Sequence, residues 1–312
     1  MKYRLLLGSI VLLLTSCSVS NDETEADSPF ASHEISFVTT VESNSHTTVA
    51  ARSAMETGFD TNDAIGVFMF VRTDASKVST LSSVNGNLIS NGEYQLASNN
   101  QWTATTKSYW RDEETVYDVV AYYPYASMTS STDVGSYPIK NAIDQSTLAS
   151  LRSADFLYGT TNAVSYGNSS AGINVGMHHK LCKINFILDL GSSMELSSSA
   201  PVTLKNLVIS GSISLASGVV TADKTTSFSI LTAYYNAADK KAEFITMPQT
   251  IPAGTDLMVL SYRDTTNSKN YRLTYKLGSA LTLESGKQYD IIIKYAESNP
   301  VISSIIVKDF AK

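Results

Sequence analysis

The chain has 312 residues and a formal charge of −6, from 23 basic and 29 acidic side chains. An acidic balance of that kind excludes the basic face that nucleic acid demands, so no nucleic acid is expected as a partner. Only two cysteines are present, Cys17 and Cys182, and once Cys17 is assigned to lipid, as below, no intrachain disulfide remains and apolar burial must hold the fold.

The N-terminus has the parts of a secretory signal: Lys2 and Arg4, an apolar stretch from Leu5 to Leu14 broken by Gly8 and Ser9, then Leu14-Thr15-Ser16-Cys17. The stretch is shorter than the roughly 20 apolar residues that span a bilayer. Residues 1–16 therefore read as a lipoprotein signal peptide, with lipidation at Cys17 and attachment to membrane through it. The next stretch, 17–33, is polar and acidic, with Asp22, Glu23, Glu25 and Asp27. It cannot bury enough surface to fold, so it reads as a tether.

Beyond the tether, short alternating runs recur between polar turns, the pattern of an all-β sandwich. The first strand candidate is 35–41, with Ile35, Phe37, Thr39 and Val41 on one face. Ala64 to Val71 is apolar on both faces, which predicts a central strand. Tyr94 to Trp102 reads as a hairpin around Asn99-Asn100, a pair that tolerates the positive φ of a tight turn. Val116 to Tyr123 is a strand that Pro124 ends. Residues 144–155 read as a short helix or a loop. Leu181 to Leu190 alternates most clearly, with Cys182, Ile184, Phe186 and Leu188 on one face and Lys183 and Asn185 on the other. Similar runs then restart, which puts a domain boundary between 34–180 and 181–312. The later runs include Val202-Thr203-Leu204, Glu243 to Met247, Asp256 to Tyr262, Tyr271 to Leu277 and Tyr289 to Tyr295. The last is 301–310.

Residues suited to catalysis are few. His178 and His179 are adjacent, so on a strand they point to opposite faces and cannot clasp one metal. Cys182 lies on an apolar face with no basic neighbour to activate it. The carboxylates Asp112, Glu113 and Glu114 read as a solvated turn, against the alternative of a glycosidase pair or a calcium site. Trp102, Trp110, Tyr117, Tyr122, Tyr123 and Tyr125 are core filler or, if exposed, a platform for sugar rings. No catalytic residue, cofactor or metal is expected, and the chain is not read as an enzyme.

Several stretches together resemble the fimbrillin-like family of Bacteroidetes, the pilins of type V pili. They are the lipobox, Ile35-Ser36-Phe37 with an arginine beyond it, Phe59 to Phe68, Trp102, Tyr109-Trp110 and Val119 to Tyr125. Ala154 to Gly159, His178 to Leu181 and Leu283 to Tyr289 complete the set. Asn62 stands where the family often has glycine. Acidic residues after Cys17 also resemble the surface-export signals of lipoproteins from that phylum, against the plainer reading of a solvated linker. The resemblance implies two tandem transthyretin-like Greek-key β-sandwiches and an outer-membrane lipoprotein precursor. It implies cleavage after Arg52, which leaves Ser53 as the new N-terminus and removes the first strand. A strand of another pilin subunit then takes the vacated groove. The donor is 301–310, or that segment is the last strand of its own domain. The implied role is a pilus subunit supporting adhesion to a host or bacterial receptor. A tip or anchor component that keeps its own strand, and a surface glycan-binding lipoprotein, are the alternatives.

Overall fold

A computed structural model describes residues 32–42, 58–190, 194–197, 200–225, 230–296 and 299–310. Cys17, Arg52 and Ser53, with the signal peptide and nearly all of the tether, lie outside these residues.

The regular structure of the described chain is almost all strand. In its first part they are β1 (Phe37–Val41), β2 (Ala64–Val71), β3 (Ile89–Leu96), β4 (Trp102–Ala104), β5 (Tyr117–Tyr123) and β6 (Tyr137–Lys140). The helix α1 (Leu148–Ser153), β7 (Leu157–Val164), the single turn α2 (Tyr166–Ser169) and β8 (Ile173–His179) follow. The chain continues through β9 (Cys182–Asp189), β10 (Met194–Leu196), β11 (Val202–Leu204), β12 (Ser210–Ile213), β13 (Val220–Ala222), β14 (Leu231–Thr232) and β15 (Tyr234–Asn236). It ends with β16 (Lys241–Thr246), β17 (Gln249–Ile251), β18 (Asp256–Asp264), β19 (Lys269–Lys276), β20 (Leu281–Leu283), β21 (Lys287–Ala296) and β22 (Asn299–Asp309).

The largest sheet runs β1-β8-β7-β5-β2-β3-β4. Its centre explains the doubly apolar sequence of β2. Ile65, Val67 and Met69 enter one core with Phe37, Tyr94 and Trp110. Phe68 and Phe70 enter another on the opposite face. Strand β5 divides in the same way, with Val119 and Ala121 to the first core and Val120 and Tyr122 to the second. The β3–β4 hairpin turns at Asn100, whose φ of 62° is the left-handed conformation asparagine tolerates, and it sets Trp102 opposite Leu96.

A second sheet runs β15-β16-β9-β21-β22, with β9 and β21 parallel. Cys182, Ile184, Phe186 and Leu188 of β9 face a third core, which they share with Leu204, Phe244, Leu260 and Ile291. The core shared by Phe68 and Tyr122 also takes Leu181, Ile213, Ile245 and Phe310, so it joins the two large sheets. A small sheet, β13-β12-β6, reinforces the joint, because β6 pairs with β12 from Lys140↔Ser210 to Tyr137↔Ile213. Gln145 adds to it, donating from Nε2 to the Ile245 carbonyl at 2.8 Å and accepting from the Ile245 N–H at 2.9 Å.

Helix α1 begins at Thr147, whose hydroxyl accepts from the Ser150 N–H while the Ser150 hydroxyl accepts from the Thr147 N–H. That reciprocal cap satisfies two orphan donors. It fixes Leu151 in the joining core.

Candidate functional site

The first strand lies along the edge of β8, and the residues just before it are bridged on the other side. On one side β1 pairs parallel with β8, from Phe37↔Ile173 to Val41↔Met177. On the other, Glu34 bridges antiparallel to Tyr109. There the Ile35 N–H donates to the Ser108 carbonyl at 2.8 Å and the Trp110 N–H to the His33 carbonyl at 3.1 Å. Alternation sends Ile35, Phe37 and Val41 inward, where each is no more than 5% exposed. Phe37 meets Tyr94 edge to face at 4.8 Å. Thr39, the fourth inward residue, is half-buried and accepts a hydrogen bond from Trp102 Nε1 at 2.8 Å. The slot therefore has three apolar places and one for a hydroxyl. Past Glu34 and Tyr109, the outer flank of β1 opens on a cleft of about 530 Å³, bounded across by Leu96, Gln101 and Trp102.

Little else fastens this strand. Parallel pairing is slightly weaker per residue than antiparallel. The Lys107–Glu34 ion pair at 2.6 Å lies on the surface, and so does the 3.7 Å approach of His178 to Glu42; such pairs contribute about 0–1 kcal/mol each.

The last strand, β22, is the edge of the second sheet and pairs with β21 from Lys287↔Asp309 to Ala296↔Asn299. The register shifts between Ile292 and Ile293, where Ser303 is left as the extra residue and its hydroxyl donates to the Ile292 carbonyl at 3.2 Å. Val301, Ile305, Ile306 and Val307 are all at least 38% exposed. Ile305 and Val307 stand opposite Ile291 and Tyr289, on the core face of the sheet, yet among the described residues they stay more than a third exposed. Two ion pairs at 2.5 Å, Lys308–Asp290 and Lys287–Asp309, tie the strand down. Burial alone would raise the Asp290 carboxyl, but Lys308, Asn185 and Gln288 hold it below the usual carboxylate value. At the end of the strand, Phe310 is buried and stacks on His179 with ring centroids 3.8 Å apart.

The other residues singled out in the sequence serve the fold. Trp102 and Trp110 are 8% and 2% exposed and lie in the first core. Tyr117 and Tyr122 are buried too, while Tyr123 and Tyr125 are partly buried. Asp112 closes its own turn: Oδ1 accepts from the N–H groups of Glu114 at 3.0 Å and Thr115 at 2.6 Å. The hydrogen bonds from Thr115 hold its carboxyl below the usual value. His178 and His179 do point to opposite sides of β8. His178 is partly exposed, whereas His179 Nδ1 is 2.7 Å from Asp155 Oδ2 in the interior. Cys182 is fully buried, its Sγ donates to the Glu284 carbonyl at 2.9 Å, and burial pushes the thiol far above its ordinary range. Among the described residues no three His, Cys, Asp or Glu side chains gather to hold a metal.

Sequence reasoning missed the buried Asp155 beneath His179. It also missed the Lys183–Glu243–Lys241 group, with contacts of 2.8 and 3.0 Å to Glu243. Lysine in the middle of an apolar strand was the available signal for the second.

A profile of the fimbrillin-like family matches residues 47–309. The chain belongs to the fimbrillin-like family. Solved crystal structures share its fold. A candidate cell adhesion protein from Bacteroides uniformis is 18% identical, with a TM-score of 0.59, and the match covers 89% of this chain and 100% of that one. A candidate cell adhesion protein from Bacteroides ovatus is 19% identical, with a TM-score of 0.62, over 89% and 97% of the two chains. No curated protein sequence matches the chain. The family is one of structural proteins of the cell surface, and membership gives this fimbrillin the role of a pilus subunit. The matched stretch begins at residue 47, so β1 precedes it.

Proposed function

We propose that this fimbrillin is exported as an outer-membrane lipoprotein acylated on Cys17. It is then cut after Arg52, loses β1, and polymerises through a strand that a neighbouring subunit places in the vacated slot. The observation that carries this reading is that β1 lies at the edge of its sheet, paired to β8 alone and bridged only at its start to residues 108–110, with its apolar side chains inward. Removing it would strand the ladder groups of β8 and of residues 108–110 and open an apolar trough, and an incoming strand would restore both. Burying a large apolar side chain contributes about 1.5–3 kcal/mol, so refilling three such places is worth roughly 5–9 kcal/mol. That rivals the stability of a whole domain, about 5–15 kcal/mol. A polymer held this way resists dissociation.

In the same reading the chain forms two tandem transthyretin-like Greek-key sandwiches, 34–180 and 181–312, supports adhesion at the cell surface, and performs no catalysis. If Arg52 is spared, β1 stays in its slot and Cys17 keeps the subunit on the membrane, which suits an anchor or tip. The glycan-binding reading loses its platform, because Trp102 and Trp110 are core residues.

The test is to treat the full chain with an arginine-specific protease and follow its size in denaturant. The reading expects a ladder of resistant oligomers from the native sequence and none from Arg52→Ala. Oligomers that form equally well from Arg52→Ala would overturn it.

A further inference from the structure

We infer that the groove over β7 and β8, walled by the β2–β3 and β12–β13 loops, binds an acidic sugar residue. Lys180 and His178 take its carboxylate, and Thr160, Asn162 and Ser217 meet its hydroxyls. In the uncut chain the Glu42 carboxylate plugs part of the anion position. The unplugging rests on the proposal that residues up to Arg52 are removed, because Glu42 leaves with them. The site itself does not.

The groove measures about 380 Å³ and has no aspartate or glutamate among its walls. That falls within the range of small-molecule pockets, about 300–1,000 Å³. Lys180 is half-buried at one end, with Nζ 5.2 Å from the centre of the Tyr158 ring. Gly218, at a φ of 69°, makes the room, since a Cβ there would meet both the ring and the ammonium. Burial holds the ammonium below its ordinary value, and no carboxylate among the described residues offsets this. A half-buried cation without a counter-charge is costly, and an incoming anion relieves it.

A carboxylate already marks the place beside it. Glu42 lays its side chain on Gly176, where a Cβ would collide with it, and Oε2 is 3.7 Å from His178 Nε2. Gly176 and His178 both line the groove. The Glu42 side chain is loosely held: it is 53% exposed, and its contact with the Thr40 hydroxyl is 3.5 Å.

The rest of the groove is neutral and polar. Thr160 and Asn162 follow Tyr158 on one face of β7, because side chains alternate along a strand. Ser217 joins them from the β12–β13 loop. All three are exposed, and their side chains have no hydrogen bond among the described residues. An anion position followed by hydroxyl and amide groups matches a carboxylated sugar, which offers both kinds of partner. An apolar acid would have to strip those groups of water without replacing it. The site works by charge and hydrogen bonds and needs no aromatic platform.

The test is an NMR titration of the uncut full chain with glucuronate. Glu42→Ala should bind about three- to fivefold more tightly than the native sequence, the competition that an exposed contact of this kind offers. Adding Lys180→Met should weaken that binding at least about tenfold, the loss of one charge-assisted hydrogen bond. Asn162→Asp, at an exposed position where folding is not at stake, should weaken it through like-charge repulsion. Glucose should not bind where glucuronate saturates. Equal binding by the native and Glu42→Ala proteins would overturn the plug. Undiminished binding by both Lys180→Met and Asn162→Asp would overturn the site. Acetate or N-acetylglutamate binding as tightly as glucuronate would overturn the sugar, and no binding to Glu42→Ala would overturn the whole inference. None of these proteins is cut, so every outcome is independent of Arg52. Chains that are never cut there would leave the site plugged and would count against the cleavage reading alone.

Discussion

Trp102 Nε1 donates to Thr39 Oγ1 at 2.8 Å across the gap between β4 and β1. It is a hydrogen bond between residues 63 positions apart, and it joins the two edge strands of one sheet. Thr39→Val keeps the shape but leaves a buried donor without its acceptor. The expected loss is about 1–3 kcal/mol of stability in the uncut protein, read from urea unfolding. Polymers of the cut protein should be unaffected, since Thr39 is no longer part of them.

Phe310 secures the end of β22. Its ring stacks on His179, and its N–H donates to the Gly286 carbonyl at 2.7 Å. Phe310→Ala should remove about 3–5 kcal/mol of packing and raise hydrogen exchange selectively over residues 299–309. Unchanged exchange in 299–309 would show that Phe310 does not hold the strand.

The Asp290–Lys308 pair gives the same strand a pH dependence. Asp290 in the folded chain lies below its ordinary value of 3.8. Its contribution is therefore fully present above 3.8 and is lost as the pH falls through the lower folded value. Hydrogen exchange over 299–309, corrected for its intrinsic pH dependence, should show protection falling below pH 3.8. Asp290→Asn should remove that step.

How far the sequence told this story can be judged from particular strands. Period-two alternation exposed β1, β9 and β21, and the doubly apolar run of β2 announced a strand with cores on both faces. Those signals are local, so they survive in the primary sequence. The pairing of β6 with β12 and the parallel docking of β1 on β8 are contacts between distant segments, and no local pattern encodes them. The slot was legible only in part: Ile35, Phe37 and Val41 could be seen to share a face, but not that residues 108–110 close its other side. The polar face of β9 was read correctly as polar and missed as buried, because Lys183 is masked by partners that arrive from β16.

Lys183 is completely buried, 2.8 Å from Glu243, which Lys241 also meets at 3.0 Å. Burial alone would raise the Glu243 carboxyl, but the two lysines hold it below its ordinary value of 4.5. Losing one partner of a buried pair costs about 3–5 kcal/mol. Since Lys241 remains, Lys183→Met should fall near the lower end. Adding Glu243→Leu should recover most of the loss in thermal unfolding, because an apolar pair needs no charge compensation.

The central claim is that β1 is absent from the working subunit. The most direct measurement is the N-terminal sequence of subunits recovered from denaturant-resistant polymers on the cell surface. The account predicts chains that begin at Ser53. Resistant polymers whose subunits still begin at acylated Cys17, with Ile35, Phe37 and Val41 intact, would contradict it.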